Sequence, residues 1–155
     1  MTFNPISAMA LKSVQIDIPA QTVTSATVIT LGSITDSSVI TVSSDTITLP
    51  TGRDYFLTGA INFSQATGNN AQFAFINVAG GAVFSNSAKA YAYYNQGLPN
   101  GDTYSGNLAM IAVNLASPLQ VQIKKDIHTA NTSIYKDNGN AYVANSSITI
   151  LYTDN

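Results

Sequence analysis

TYSGNLAMIAVNLASPLQVQIKKD, residues 103–126, reads as two strands joined by a tight turn at Ser117-Pro118. Successive side chains of a strand point to opposite faces. In the first strand Leu108, Met110 and Ala112 point one way, and Ala109, Ile111, Val113 and Leu115 point the other, so both faces are apolar. The second strand alternates: Leu119, Val121 and Ile123 oppose Gln120, Gln122 and Lys124. Clean alternation marks a half-buried strand, whereas a doubly apolar one must be covered twice. A sandwich core covers one face, and the expectation for the second is another copy of the same chain.

The composition agrees with a β protein. At 155 residues the chain is expected to form one domain with a core of useful size. Thr, Ser, Asn and Val abound, residues that suit strands and turns better than helix interiors. Charged residues are 9% of the chain and none is a glutamate. Sheet edges therefore lack the usual charged protection against edge-to-edge pairing and have to be covered or paired. There is no cysteine, which excludes disulfides, thiolate metal sites and cysteine nucleophiles. A net charge of -2 offers no electrostatic footprint for nucleic acid or an anionic membrane. The first residues, MTFNPISAMALK, lack the basic start and apolar run of a secretory signal. The expectation is a protein made in a cytoplasm that leaves it only by lysis.

Residues 1–12 carry Phe3, Ile6, Met9 and Leu11 at loose spacing broken by Pro5, either a frayed terminus or an arm that docks on a neighbour. Residues 13–155 are expected to be the folded domain. Its first strand sets Val14, Ile16 and Ile18 against Ser13, Gln15 and Asp17 and stops at Pro19. A continuous strand over 21–31 and two short ones around Ser43-Ser44 come next. Residues 54–64 then set Tyr55, Leu57, Ile61 and Phe63 on one face, with Gly59 between them, against Phe56, Thr58, Ala60 and Asn62. Residues 71–78 are apolar on both sides. A hairpin turn at Asp137-Asn138-Gly139-Asn140 and a last strand with Ile148, Ile150 and Tyr152 aligned complete the chain. Many short strands between regular turn signals predict an all-β sandwich or barrel.

Signs of catalysis are few. His128 is the one histidine, without a Gly-x-Ser-x-Gly elbow, and is read as a surface residue. Asp54, Asp102, Asp126 and Asp137 sit at turns and strand starts, their ordinary places. The 137–140 turn has some oxygen ligands for calcium but not the spacing of an EF-hand loop. Three Asn-x-Ser/Thr matches, at Asn62, Asn131 and Asn145, are of the kind chance produces in so Asn- and Ser-rich a chain. No enzyme activity, catalytic residue, metal or cofactor is expected. Tyr91, Tyr93 and Tyr94 precede a loop containing Asn100 and Asp102. They are candidates either for ligand contact or for packing beneath that loop.

From Gly52 onward the order of segments resembles the jelly roll of the complement-C1q and tumour-necrosis-factor superfamily. Residues 52–63 are similar to its Gly-x-Tyr-x-Phe strand and residues 71–80 to the alternating strand that follows. Ser105-Gly106 and the apolar run to Leu115 look like its Ser-Gly strand, residues 121–125 its Val-x-Leu strand, and residues 146–152 the closing strand. The resemblance implies an antiparallel jelly-roll sandwich forming a homotrimer, with the Ser-Gly strand against the threefold axis. On that basis Tyr104, Leu108, Met110 and Ala112 are the expected trimer-interface residues. Short domains of this kind without cysteine look similar to virion proteins of tailed bacteriophages. The expectation is a decoration (cement) protein on the capsid exterior. Its partners would be itself and the major capsid protein, with Phe3, Ile6, Met9 and Leu11 as the capsid-contacting arm. The alternative is a receptor- or glycan-binding fibre tip that uses the tyrosine loop.

Overall fold

In a computed structural model the described residues are 10–24, 27–35, 37–65, 71–82, 84, 90–92, 104–125, 132–134 and 146–154. They form an all-β structure of two antiparallel sheets. The strands are β1 (Ala10–Asp17), β2 (Gln21–Val23), β3 (Thr41–Ser43), β4 (Thr46–Leu49), β5 (Tyr55–Gln65), β6 (Ala71–Asn77), β7 (Ala90–Ala92), β8 (Tyr104–Ala112), β9 (Leu119–Lys125), β10 (Thr132–Ile134) and β11 (Ser147–Asp154).

The first sheet runs β1-β11-β5-β10-β2, with β8 on the other edge of β5. Long β5 pairs with β11 through residues 55–60 and with β10 through 63–65, so β11 and β10 share one row. β1 and β2, which pair with β11 and β10, share the next row, interrupted at Pro19. The second sheet runs β3-β4-β9-β6-β7. Between the sheets lies one core, including Val14, Ile16, Ile18, Ile47, Leu49, Tyr55, Leu57, Phe73, Phe75, Val121, Ile123, Ile148 and Ile150. The alternating residues read from the sequence in β1, β9 and β11, and Tyr55, Leu57 and Ile61 of β5, point into it; the Phe63 side chain lies outside the described set. In β6 Phe73, Ala74, Phe75 and Ile76 are all buried, as its doubly apolar pattern requires.

Several expectations need correction. β8 and β9 are not a hairpin: β8 pairs with β5 in one sheet and β9 with β4 and β6 in the other. The connection over residues 113–118 crosses between the sheets, helped by a left-handed Asn114 (φ 52) whose amide donates to Asp54 Oδ1 at 3.2 Å. The strand expected over 21–31 ends at Val23. Val28 instead bridges to Lys124, so this segment also changes sheet. The Gln21 side chain, bonded to both the N–H and the C=O of Thr30, closes the loop between. The β3–β4 turn is at Ser44-Asp45 (φ 47 and 61), one residue beyond its expected place. β1 starts at Ala10, three residues inside the expected arm, so Leu11 belongs to the sheet. Finally, Leu108, Met110 and Ala112 face the intramolecular core, 1%, 1% and 6% exposed. The outward face of β8 is the opposite one, with Ala109 and Ile111. Parity within a strand sorts residues into two sets without saying which set is inward.

Candidate interaction surface

The outer face of the six-stranded sheet divides along its length. Register aligns Ser13, Leu151, Phe56 and Ile111 as neighbours on β1, β11, β5 and β8. Toward the start of β1, Leu11 pairs with Thr153, and Val113 follows at the end of β8. Leu11, Phe56, Ile111 and Val113 are 69%, 39%, 50% and 51% exposed, four of the five large hydrophobics most open to solvent among the described residues. With Leu151 they line a shallow apolar depression of about 320 Å³, rimmed by Asp54, Tyr55 and Thr153. In the opposite direction the rows become small and polar. Thr149, Thr58 and Ala109 form one, then Ser147, Ala60 and Asn107, which floor a second depression of about 260 Å³.

The sheet is braced beneath the apolar end. Thr153 exchanges bonds with Asp54: its amide donates to the Asp54 carbonyl and its Oγ1 accepts from the Asp54 amide, both at 3.1 Å. Arg53 Nη1 donates to the Thr153 carbonyl at 2.9 Å, and its guanidinium lies 5.7 Å from the centre of the Tyr152 ring. Tyr55 packs 6.3 Å from Tyr152 and donates its hydroxyl to the Pro50 carbonyl at 2.8 Å. Burial pushes the Tyr55 pKa up, only partly offset by the nearby Arg53 charge. With these polar groups tied down, the face above them offers water mainly hydrocarbon. Chemically it can cover another apolar surface.

Among the candidates from the sequence, Leu11 joins this patch, and Leu108, Met110 and Ala112 do not. Tyr104 opens β8 opposite Phe63, and Tyr91 pairs with Gln72 in β7; both side chains fall outside the described set. Phe3, Ile6, Met9, Tyr93, Tyr94, Asn100, Asp102, Asp126, His128 and the 137–140 turn lie outside the described residues. Asp54 serves the β8–β9 connection and the end of β11. Among the described residues no three His, Asp or Glu side chains come together, and no helix is long and apolar enough to cross a membrane. Phe56 and Leu151 were not singled out from the sequence. Each is the one large apolar residue on a strand face of otherwise small or polar side chains, and only the register makes them neighbours. Comparison of the chain with protein-family models finds no match, and comparison with curated proteins finds none either.

Proposed function

We propose that the chain is the protomer of a homotrimeric structural protein of a virion, a jelly roll of the C1q and tumour-necrosis-factor type. It decorates the outside of a tailed-phage capsid and stabilises the shell. Strand pairing supports the jelly roll. Taking β1, β4, β5, β6, β7, β8, β9 and β11 as strands one to eight, the first pairs with the eighth, the second with the seventh, the third with the sixth and the fourth with the fifth. These nested pairs form one long two-stranded ribbon. Laying alternate pairs in alternate sheets wraps the ribbon into a jelly roll.

The observation that carries the assembly is the apolar end of the outer face. A contiguous apolar patch of several large side chains on a folded domain marks an interaction surface. Complete burial of a large aliphatic or aromatic side chain is worth about 1.5–3 kcal/mol. With roughly half of each already covered, Leu11, Phe56, Ile111 and Val113 together contribute roughly 3–6 kcal/mol per protomer. That is near the lower end of what association costs, so the patch needs further contacts beside it. On a capsid, a trimer touching several shell subunits at once gains from multivalency, and binding to the assembled shell alone opposes its disassembly.

The test is electron microscopy of the purified particle with light scattering of the isolated protein. The expected results are density on the outer shell at threefold positions, a mass three times that of the chain, and lower capsid heat tolerance when the protein is omitted. A monomer with no affinity for the shell, or density at the end of a fibre, would overturn the reading.

A further inference from the structure

The small and polar end of the outer face continues past β1. Ile16 bridges antiparallel to Ile34, the Asp17 amide donates to the Ser33 carbonyl at 3.1 Å, and the Thr35 amide donates to the Gln15 carbonyl at 2.8 Å. Residues 33–35 therefore extend the sheet by one more length of backbone. Register sets two parallel rows across it. One is Thr35, Gln15, Thr149, Thr58 and Ala109, and the next is Ser33, Asp17, Ser147, Ala60 and Asn107. Each row crosses four strand spacings, about 19 Å. No side chain in them is larger than glutamine, whereas the row beyond holds Leu151, Phe56 and Ile111. The step between them leaves a trough. It is a depression of about 350 Å³ at the β1 end and the one of about 260 Å³ over β5 and β8, and the two share Ser147.

The lining selects the ligand. Asp17 is the one charged side chain among the described residues that line the trough, and no Lys, Arg or His is there to hold an anion. A single carboxylate is also a poor anchor for a calcium ion, which takes about 6–8 oxygen ligands. An apolar ligand would strip water from amides and hydroxyls and give nothing back. Among the described residues, the amides of Gln15 and Asn107 and the hydroxyls of Ser33, Thr58, Ser147 and Thr149 have no protein partner. Amides and hydroxyls offer donors and acceptors together, as the hydroxyls of a sugar do. Ala60, Ala109 and the threonine methyl groups give the floor apolar area to meet the C–H faces of a sugar ring. We propose that this trough binds a neutral oligosaccharide, with Gln15, Asp17 and Asn107 as its hydrogen-bonding ends. The groups stand on paired strands, so little ordering is needed on binding. The trough is built from one chain and lies beside the apolar patch, so the proposal does not depend on the assembly.

The test passes labelled full-length protein over an array of immobilised neutral and sialylated oligosaccharides. The strongest neutral glycan is then titrated by calorimetry against the wild type, Asn107→Ala and Ala109→Trp. The first variant removes an amide from the trough and the second fills it; circular dichroism checks that each is folded. Gln15→Ala, at the other end of the trough, takes the place of a variant that misfolds. The expected result is binding of neutral glycans by the wild type and at least tenfold weaker binding by both folded variants. Sialylated glycans should bind less well than their neutral counterparts, because Asp17 repels a ligand carboxylate. Undiminished binding by either folded variant would put the site elsewhere, and a preference for sialylated glycans would contradict the charge of the trough. Either result, or an array on which no glycan is bound, overturns the proposal.

Discussion

Between Ala60 and Phe63 the strand β5 changes partner, from β11 to β10, and the ladder on that edge has a gap. Ser146 fills it. Its hydroxyl accepts from the Asn62 amide at 2.8 Å and donates to the Asn62 carbonyl at 3.4 Å, while its own carbonyl accepts from the Ile18 amide. Ser146 is fully buried, so no water replaces the hydroxyl. Ser146→Ala leaves a buried amide unmatched and should cost about 1–3 kcal/mol in urea unfolding. A loss below roughly 0.5 kcal/mol would contradict this role. Lys125 is a second buried polar residue, on the core side of β9 opposite Phe73. Burial lowers its pKa from the usual 10.5. Between the lowered value and 10.5 the unfolded chain therefore holds a proton that the folded chain has released. Stability rises with pH through that window. Tyr55 works in the opposite sense above 10.0, because its raised pKa makes the folded chain keep its proton longer. The urea midpoint should climb on the alkaline side of neutrality and then fall, and Lys125→Met should flatten the climb.

At the level of the element, β8 shows what alternation conceals. Its inward set packs on β5, where Gly59 makes room: a Cβ there would lie 3.2 Å from Leu108 Cδ1 and 3.4 Å from Leu108 Cβ. Its outward set is half open to solvent. Neighbouring residues on this strand should therefore fail differently. Met110→Ala opens a cavity in the core and should cost about 2–5 kcal/mol at any protein concentration. Ile111→Ala trims only the outer face, so its effect on the melting temperature should appear where copies associate and fade on dilution. Thermal melts over a hundredfold range of concentration separate the two. Equal, concentration-independent losses would mean that the outer face has no role between copies.

For the whole molecule, the low charge and the apolar end of one sheet belong together. A chain with 9% charged residues has little electrostatic protection, and the proposed association would hide surface that could otherwise aggregate. Phe56 lies in the middle row of the patch, between Leu151 and Ile111. Phe56→Lys puts an ammonium where the interface would exclude water. Truncating or charging a central apolar anchor is the most disruptive single change an interface of this kind can suffer. The expected outcome is a folded monomer, with unchanged circular dichroism and one third of the wild-type mass by light scattering. A variant that keeps the wild-type mass would place the interface elsewhere.

Much of the architecture could be read without coordinates, because period-two alternation and turn residues are local. The two-sheet class, the core residues of β1, β5, β9 and β11, and the double burial of β6 all follow from residues close together in the chain. Which side of β8 turns inward was not readable there, since Leu108 and Ile111 are equally apolar and only the position of the opposing sheet separates them. The apparent hairpin at 113–118 misled for a similar reason: a short turn looks alike whether its strands pair or part to opposite sheets. The patch of Leu11, Phe56, Ile111, Val113 and Leu151 draws on four strands spread over almost the whole chain. Adjacency between them is a product of register across β1, β11, β5 and β8, and no local pattern encodes register at that distance.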